Sequence, residues 1–213
     1  MKIALIGATG FVGAALLTEA LARGHQVTAL VRDITKLPAH PQLSARAVDV
    51  FDAAALAGAL RGHDAVLSAY NPGWGTPDIR TKMADGGAAI INATRAAAVP
   101  RLLVVGGAGS LEVAPGLQAL DTPDFPAAWK DGAEGTRDFL IRLRDTQDLD
   151  WSFLSPAFDL FPGEHRGSYR VGGDQAFFDA EGKSRISAAD YALAMIDELE
   201  VPRHTGRRFC VAY

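Results

Sequence analysis

The sequence has little cysteine, little net charge and no long apolar run. Cys210 is the one cysteine among 213 residues, so no intramolecular disulfide can form and a reducing compartment is the simpler location. The formal net charge of −4 leaves no basic stripe for a nucleic-acid backbone. The apolar run after Lys2 ends at Gly7, too early for a secretion signal or a membrane span. We therefore expect a cytoplasmic protein that binds a small molecule, with no nucleic-acid or membrane partner. The oligomeric state is not predicted.

The residues that are present suit one globular domain. Hydrophobic residues make up 48% of the chain and charged residues 22%, which is enough apolar material for a sizeable core. We expect a single domain over residues 1–213, with a small elaboration on the substrate side from about residue 156. The five histidines are scattered without the spacing of metal ligands, so we expect no metal site.

Short apolar runs alternate along the chain with longer helical patterns. Several runs are nearly continuous in hydrophobicity, as is typical of strands buried on both faces. This alternation predicts a Rossmann-like α/β fold, a doubly wound parallel sheet with helices on both faces. The predicted strands are residues 2–6, 26–31, 45–48, 64–69, 101–106 and 151–155, with a closing strand in RRFCVAY. The predicted helices begin at Phe11, after an Asp52 cap, at Asp78, near Phe125 and after a Ser187 cap, and Gly24 ends the first of them.

Three glycines follow the first predicted strand in KIALIGATGFVG. Gly7 allows a tight turn, Gly10 lets the backbone approach a pyrophosphate, and Gly13 permits close packing of a helix on the sheet. A glycine triplet alone would also fit an ordinary turn, but the strand before it and the helix after it favour binding. Free N–H groups at the start of that helix would meet the anion. The stretch predicts a dinucleotide site at Gly7, Thr9, Gly10, Phe11, Val12 and Gly13.

The second predicted strand ends in LVRD, where the ribose of an adenosine would lie. Arg32 stands 19 residues beyond Gly13, near the place where the usual fingerprint has an acidic residue. A guanidinium there can pair with a 2′-phosphate, which favours NADP(H) over NAD(H). The alternative is a solvated Arg32, with Asp33 accepting the ribose hydroxyl. Asp49 is a candidate contact for the adenine amine, or else a loop acid beside the next helix.

Further stretches extend this pattern over nearly the whole chain: GATGFVG, LVRD, DAVLSAY, VVGGAGS, DWSFLSPA, FPGEHRGSYRVGGD and ISAADYALAMIDELE. Together they resemble the atypical short-chain dehydrogenase/reductase proteins with an NAD(P)H-binding domain. That family includes proteins labelled as NADH-flavin reductases and as NAD-dependent epimerase/dehydratase-like. The resemblance implies a Rossmann fold with the nucleotide at the carboxyl ends of the strands. It also implies Ala69, Tyr70 and Asn71 along the cofactor, Gly106 and Gly107 beneath it, and Pro156 and Ala157 near the nicotinamide.

The usual catalytic groups of this superfamily are only partly present. Its reductases carry a serine and a Tyr-x-x-x-Lys pair, whose tyrosine acts as a general acid at a carbonyl. Ser110, after the fifth predicted strand, matches the serine and is the catalytic candidate; the alternative is a hydroxyl that caps its loop. No Tyr-x-x-x-Lys occurs, and the corresponding stretch FPAAWKDGAEG has Trp129 and Lys130 instead. The ordinary ketone-reductase mechanism is therefore in doubt.

Two functions fit these residues. In the first, an NAD(P)H-binding oxidoreductase passes hydride from NADPH to a flavin- or quinone-like acceptor, which takes its proton from water while Ser110 polarises an acceptor oxygen. In the second, the protein binds NADP(H) without turnover, as a redox sensor or a regulatory partner-binding protein. The missing tyrosine favours the second. The aromatic walls favour the first: Tyr70, Trp74, Trp129 and Phe158.

Overall fold

The structure is a computed structural model that describes residues 1–213. Twelve strands and five α-helices follow one another along the chain. The strands are β1 (Lys2–Ile6), β2 (Gln26–Val31), β3 (Leu43–Ala47), β4 (Ala65–Ser68), β5 (Arg101–Val105), β6 (Glu112–Ala114), β7 (Leu117–Gln118), β8 (Asp150–Ser155), β9 (Asp159–Phe161), β10 (Arg170–Gly172), β11 (Arg185–Ser187) and β12 (Arg207–Ala212). The helices are α1 (Phe11–Ala22), α2 (Ala53–Leu60), α3 (Ile79–Ala96), α4 (Ala127–Arg144) and α5 (Ala188–Glu200).

Eight strands form one central sheet in the order β10-β12-β8-β5-β4-β1-β2-β3. Every pair in it is parallel except β10 with β12. The strand order reverses at β1, which lies between β2 and β4. In doubly wound sheets the crevice at the carboxyl ends of such strands is where ligands bind.

Two hydrophobic cores lie on opposite faces of the sheet. Because side chains alternate along a strand, Ile3 and Leu5 of β1 enter one core and Ala4 and Ile6 enter the other. Helices α1 and α5 cover the first core, whereas α2, α3 and α4 cover the second. A sheet covered on both faces confirms the predicted Rossmann-like fold. No helix combines the length and the apolar character that crossing a bilayer requires.

Most of the predicted elements are confirmed within two residues or so at each end. β1 and β2 have the predicted bounds, and β3 begins two residues earlier than expected. Asp52 and Ser187 cap α2 and α5 by accepting from the N–H groups of Ala55 and Asp190. Gly24 lies just beyond α1 with φ +79°, as a glycine at a helix end often does.

Five short strands do not follow from the sequence pattern. Each of β6, β7, β9, β10 and β11 has two or three residues. β6 lies in the segment after β5, where no strand was predicted. The short strands depend on their partners: β10 is antiparallel to β12, and β9 is parallel to β11.

Candidate functional site

A cavity of about 530 Å³ opens at the carboxyl ends of β1, β2 and β4, where the strand order reverses. Its wall combines the turn after β1, the end of β2 and the segments after β3 and β4. Eight of the residues proposed above for a cofactor line it: Gly7, Thr9, Gly10, Arg32, Asp49, Ala69, Tyr70 and Asn71. The predicted residues from four separate segments therefore meet at one place.

The three glycines of the turn differ in what a side chain at each position would meet. Gly7 has φ +79°, and a Cβ there would lie 2.5 Å from the carbonyl oxygen of Ala69. A Cβ on Gly13 would lie 2.0 Å from the carbonyl oxygen of Gly7, so α1 can pack here only without a side chain. A Cβ on Gly10 would meet nothing closer than the Gly7 oxygen at 3.4 Å. A methyl group at Gly10 would make only an ordinary van der Waals contact with the protein, and the missing side chain leaves the Gly10 backbone open to the cavity.

The first turn of α1 carries polar groups that the protein leaves unpaired. The N–H groups of Phe11, Val12 and Gly13 have no acceptor, and Gly10 provides no side-chain cap. No acidic residue lies in this turn. Unpaired N–H groups and the helix dipole together make such an end a binding place for an anion. Gly10 joins this end of the helix to the cavity wall.

Arg32 and Asp33 are neighbours with different surroundings. Arg32 is exposed on the cavity wall, and its guanidinium makes no hydrogen bond or ion pair. Asp33 is not part of that wall: its Oδ1 accepts from the N–H of Thr35 at 3.0 Å and from the Thr35 hydroxyl at 2.6 Å. These bonds hold the pKa of Asp33 below its usual range. The arginine is free to meet a ligand, whereas the aspartate already caps the turn that follows.

Asp49 lies in the turn after β3 and on the cavity wall, and its contact with an adenine stays a prediction. Its Oδ1 accepts from the N–H of Phe51 at 3.0 Å and so shapes the turn after β3. The residue also lines the cavity, as Phe51 does.

Tyr70 and Asn71 form the wall beyond β4. The Tyr70 ring packs against α3, where a Cβ on Gly86 would lie 2.2 Å from its Cε1 atom. Its hydroxyl donates to the carbonyl of Lys82 at 3.1 Å, and burial raises the pKa of Tyr70. Asn71 Oδ1 accepts from the N–H of Gly73 at 2.7 Å and so anchors the next loop. Both side chains position the wall.

The remaining residues from the resemblance lie further along the edge of the sheet. Gly106 and Gly107 follow β5, and Pro156 and Ala157 follow β8; none of them lines the cavity. Packing alone explains a glycine at position 106, because a Cβ on Gly106 would lie 2.2 Å from the Phe153 ring. In the order of the strands, they continue from β4 in the direction away from Arg32.

Ser110 is buried and hydrogen-bonded, and it does not line the cavity. The residue is 3% exposed. Nη1 of Arg208 donates to the Ser110 hydroxyl at 3.0 Å and to its carbonyl at 2.8 Å. The same guanidinium pairs with Asp174, so the group holds the loop after β5 onto β12. The structure does not bring Ser110 to the cavity, and its catalytic role stays a prediction.

Nine of the seventeen wall residues were not among those predicted. Three of the nine carry an aromatic or polar side chain: Phe51, Thr76 and Lys82. Phe51 and Thr76 lie on segments that follow strands, which is the one signal that pointed to them. Lys82 lies on α3, and a single lysine on a helix carries no pattern of its own.

Comparisons with known proteins agree with this architecture. The sequence model of a family described as NAD(P)H-binding matches residues 7–199. A solved structure described as a "putative exported protein" from Burkholderia pseudomallei is 45% identical with a TM-score of 0.91, and the match covers 100% of both chains. A "putative epimerase" from Bacteroides thetaiotaomicron is 43% identical with a TM-score of 0.94, over 100% of this chain and 96% of that one. A "putative NADH-flavin reductase" from Streptococcus pneumoniae is 39% identical with a TM-score of 0.88, over 100% of this chain and 99% of that one. These three descriptions differ, so the likeness does not fix a reaction.

Proposed function

The chain belongs to the NAD(P)H-binding family of atypical short-chain dehydrogenase/reductase-like proteins, and we propose that it is a reductase that transfers hydride from NADPH to a flavin- or quinone-like acceptor. The observation that carries the proposal is the cavity at the reversal of the strand order, with the open Gly10 backbone and the unpaired start of α1 on one side. Such a combination suits a pyrophosphate.

The chain's own groups account for binding and orientation. The N–H groups of Phe11, Val12 and Gly13 would hold the pyrophosphate, and Asp49 and Phe51 would border the adenosine. Arg32 would pair with a 2′-phosphate, because it lines the cavity without a partner while Asp33 is occupied by Thr35. This contrast supports NADPH over NADH.

The reaction needs no side-chain acid in this proposal. The bound nicotinamide supplies a hydride, and the acceptor gains that hydride together with one proton from water, giving NADP⁺ and the reduced acceptor. A flavin or quinone suits a site without a side-chain acid. The chain lacks Tyr-x-x-x-Lys, and the Tyr70 hydroxyl already donates to the Lys82 carbonyl. We place the protein in the cytoplasm, where the buried, unpaired Cys210 stays reduced.

A second candidate is a protein that binds NADP(H) without turnover and reports the redox state to a partner. The observation that favours it is the burial of Ser110 against Arg208, which leaves the one catalytic candidate away from the cavity.

The first experiment measures NADPH binding by calorimetry and then NADPH consumption with riboflavin, menadione and a small ketone. We expect saturable binding and turnover with riboflavin or menadione. Gly10→Ala should weaken NADPH binding by about tenfold or more, since a methyl group fits the fold but occupies the approach to the pyrophosphate. Gly58→Ala is the matched control, because a Cβ there meets only the end of the Arg61 side chain at 4.0 Å. Absence of NADPH binding would refute the proposal; tight binding without turnover would favour the sensor.

A further inference from the structure

Two tryptophans are exposed together on the surface. Trp74 and Trp129 are 54% and 48% exposed, and their ring centroids lie 4.7 Å apart in an edge-to-face arrangement. The third tryptophan, Trp151, is 2% exposed in the core. Large aromatic side chains that stay exposed as a pair are unusual enough to suggest a binding role. We call Trp74 and Trp129 the tryptophan pair.

The local backbone is arranged to place Trp74. Its neighbours Gly73 and Gly75 have φ +111° and +82°, which glycine adopts with little strain. The indole lies over α4 at Gly132, where a Cβ would come within 2.5 Å of its Cζ3 atom. Glycine inside a helix is unfavourable, so its presence at this point is explained by the space that the ring needs.

The loop that carries Trp74 is continuous with the cavity wall. Asn71, Pro72 and Thr76 line the cavity on either side of it in sequence. Asn71 Oδ1 accepts from the N–H of Gly73 at 2.7 Å, and the Thr76 hydroxyl donates to the Pro72 carbonyl at 3.1 Å. The tryptophan pair therefore lies beside the cavity, on a support that the cavity residues hold in place.

The position along the sheet identifies which end of a dinucleotide the pair would meet. Arg32 follows β2, the glycine turn follows β1, and the loop with Trp74 follows β4. These strands lie in the order β2-β1-β4, so the pair and Arg32 are on opposite sides of the turn that would hold the pyrophosphate. If Arg32 meets the adenosine end, the pair lies toward the nicotinamide end.

We propose that the tryptophan pair is the acceptor subsite and that the acceptor is a planar aromatic ring system, such as an isoalloxazine or a naphthoquinone, stacked on an indole face. The inference rests on the proposed function and names its substrate class. Indole faces bind flat π systems well, and they offer no acid to a carbonyl. Trp129 lies in the stretch FPAAWKDGAEG, which contains no tyrosine. The pair therefore offers an aromatic surface without a tyrosine acid, which suits acceptors that take their proton from water.

The test titrates oxidised riboflavin into the protein saturated with NADP⁺ and follows the quenching of riboflavin emission. Riboflavin has no phosphate, so a phosphate site cannot hold it. We expect Trp74→Ala and Trp129→Ala each to raise the riboflavin Kd by about tenfold. Trp74→Phe, which keeps a ring, should raise it by less than about threefold. Ile141→Ala is the matched control, since Ile141 is a 49% exposed apolar residue on the same helix as Trp129.

The outcomes separate this inference from the function on which it rests. The subsite is supported if NADPH affinity is unchanged in all three variants while Trp74→Ala and Trp129→Ala weaken riboflavin binding more than Trp74→Phe does. Riboflavin binding that is unaffected in both alanine variants overturns it, while NADPH binding and turnover keep the proposed function. A wild-type protein that binds NADPH but neither riboflavin nor menadione also overturns it. So does sedimentation showing that the alanine variants only dissociate an oligomer, because a second copy would then cover the pair. Loss of NADPH binding in the wild type refutes the function itself.

Discussion

The cavity near β1 and the start of α5 are two polar regions with opposite hydrogen bonding. At the cavity, the Arg32 guanidinium and three N–H groups of α1 have no protein partner. At α5, Asp190 is fully buried and accepts from the Tyr213 hydroxyl at 2.6 Å and from the N–H groups of Arg166 and Gly167 at 2.9 and 3.1 Å. His165 Nδ1 lies 3.4 Å from the same carboxylate. Polar groups that have all their partners stabilise the fold, whereas those left unpaired at a cavity are available to a ligand. We call the hydrogen-bonded region at α5 the closed region and the cavity the open region.

Two arginines show the same difference within one residue type. Arg208 is 5% exposed and donates to Ser110 and Asp174. Arg32 is exposed and unpaired. The sequence alone made a catalytic role for Ser110 and a phosphate-binding role for Arg32 equally plausible. The structure distinguishes the two residues by their partners, because Ser110 is hydrogen-bonded to Arg208 and Arg32 has no partner.

The largest expected effect is on stability, at the closed region. Asp190→Ala removes a fully buried side chain that accepts three hydrogen bonds, so we expect a loss of about 3 kcal/mol in the free energy of unfolding. Urea denaturation measures it. Asp197→Ala on the same helix, where Asp197 is 52% exposed at its side chain, should cost less than about 1 kcal/mol. NADPH affinity should stay unchanged in both; a change for Asp190→Ala would mean that the two regions are coupled.

Acid should weaken the closed region next. Burial alone would raise the pKa of Asp190, but hydrogen bonds from Tyr213 and from the N–H of Arg166 and Gly167 outweigh it and hold that pKa below its usual range. Glu198 lies near the carboxyl end of the same helix, and burial would raise its pKa too, but hydrogen bonds from His204 outweigh burial and hold that pKa below its usual range. Because the folded pKa lies below the unfolded one, this stability is fully present above about pH 5 and is lost progressively below about pH 4.

The loss should appear as a fall in the urea midpoint between pH 7 and pH 3. Asp190→Ala should show a shallower dependence on pH than the wild type. An equally steep dependence would assign the acid sensitivity to other groups.

Arg32→Ala tests the open region. We expect the NADPH Kd to rise about tenfold and the NADH Kd to change by less than about twofold, because only NADPH carries the 2′-phosphate. Calorimetry with both cofactors measures the ratio, and the melting temperature should not change. Arg61→Ala, beyond α2, is the control. Equal losses for the two cofactors would exclude Arg32 from the phosphate site.

Ser110→Ala should give the smallest effect. One hydrogen bond from Arg208 is lost, so we expect about 1 kcal/mol less stability and a fall in kcat of less than about threefold. Stopped-flow turnover with riboflavin measures the rate. A hundredfold fall in kcat at unchanged stability would restore the catalytic role and would show that the loop after β5 opens during the reaction.

The sequence was sufficient for features that depend on neighbouring residues. The alternation of β1, the cap at Asp52 and the glycine turn follow from local geometry and were predicted. The short β10 was not, since it exists through pairing with β12 about forty residues later. The surroundings of Ser110 were hidden for the same reason: its partner Arg208 is 98 residues away in the chain. The sequence left two alternatives, a 2′-phosphate bound by Arg32 or a ribose hydroxyl bound by Asp33. Hydrogen bonds from Thr35 to Asp33 favour the first.

Cys210 has a practical consequence for measuring motion in this protein. Its Sγ is buried on β12 and donates to the Gln175 carbonyl at 3.2 Å, and burial raises its pKa to about 11. A thiol in that state reacts slowly with alkylating reagents at neutral pH. A cysteine introduced at an exposed position would therefore be the one that a maleimide dye labels. The wild-type chain is thus ready for single-site fluorescence work without removal of its own cysteine.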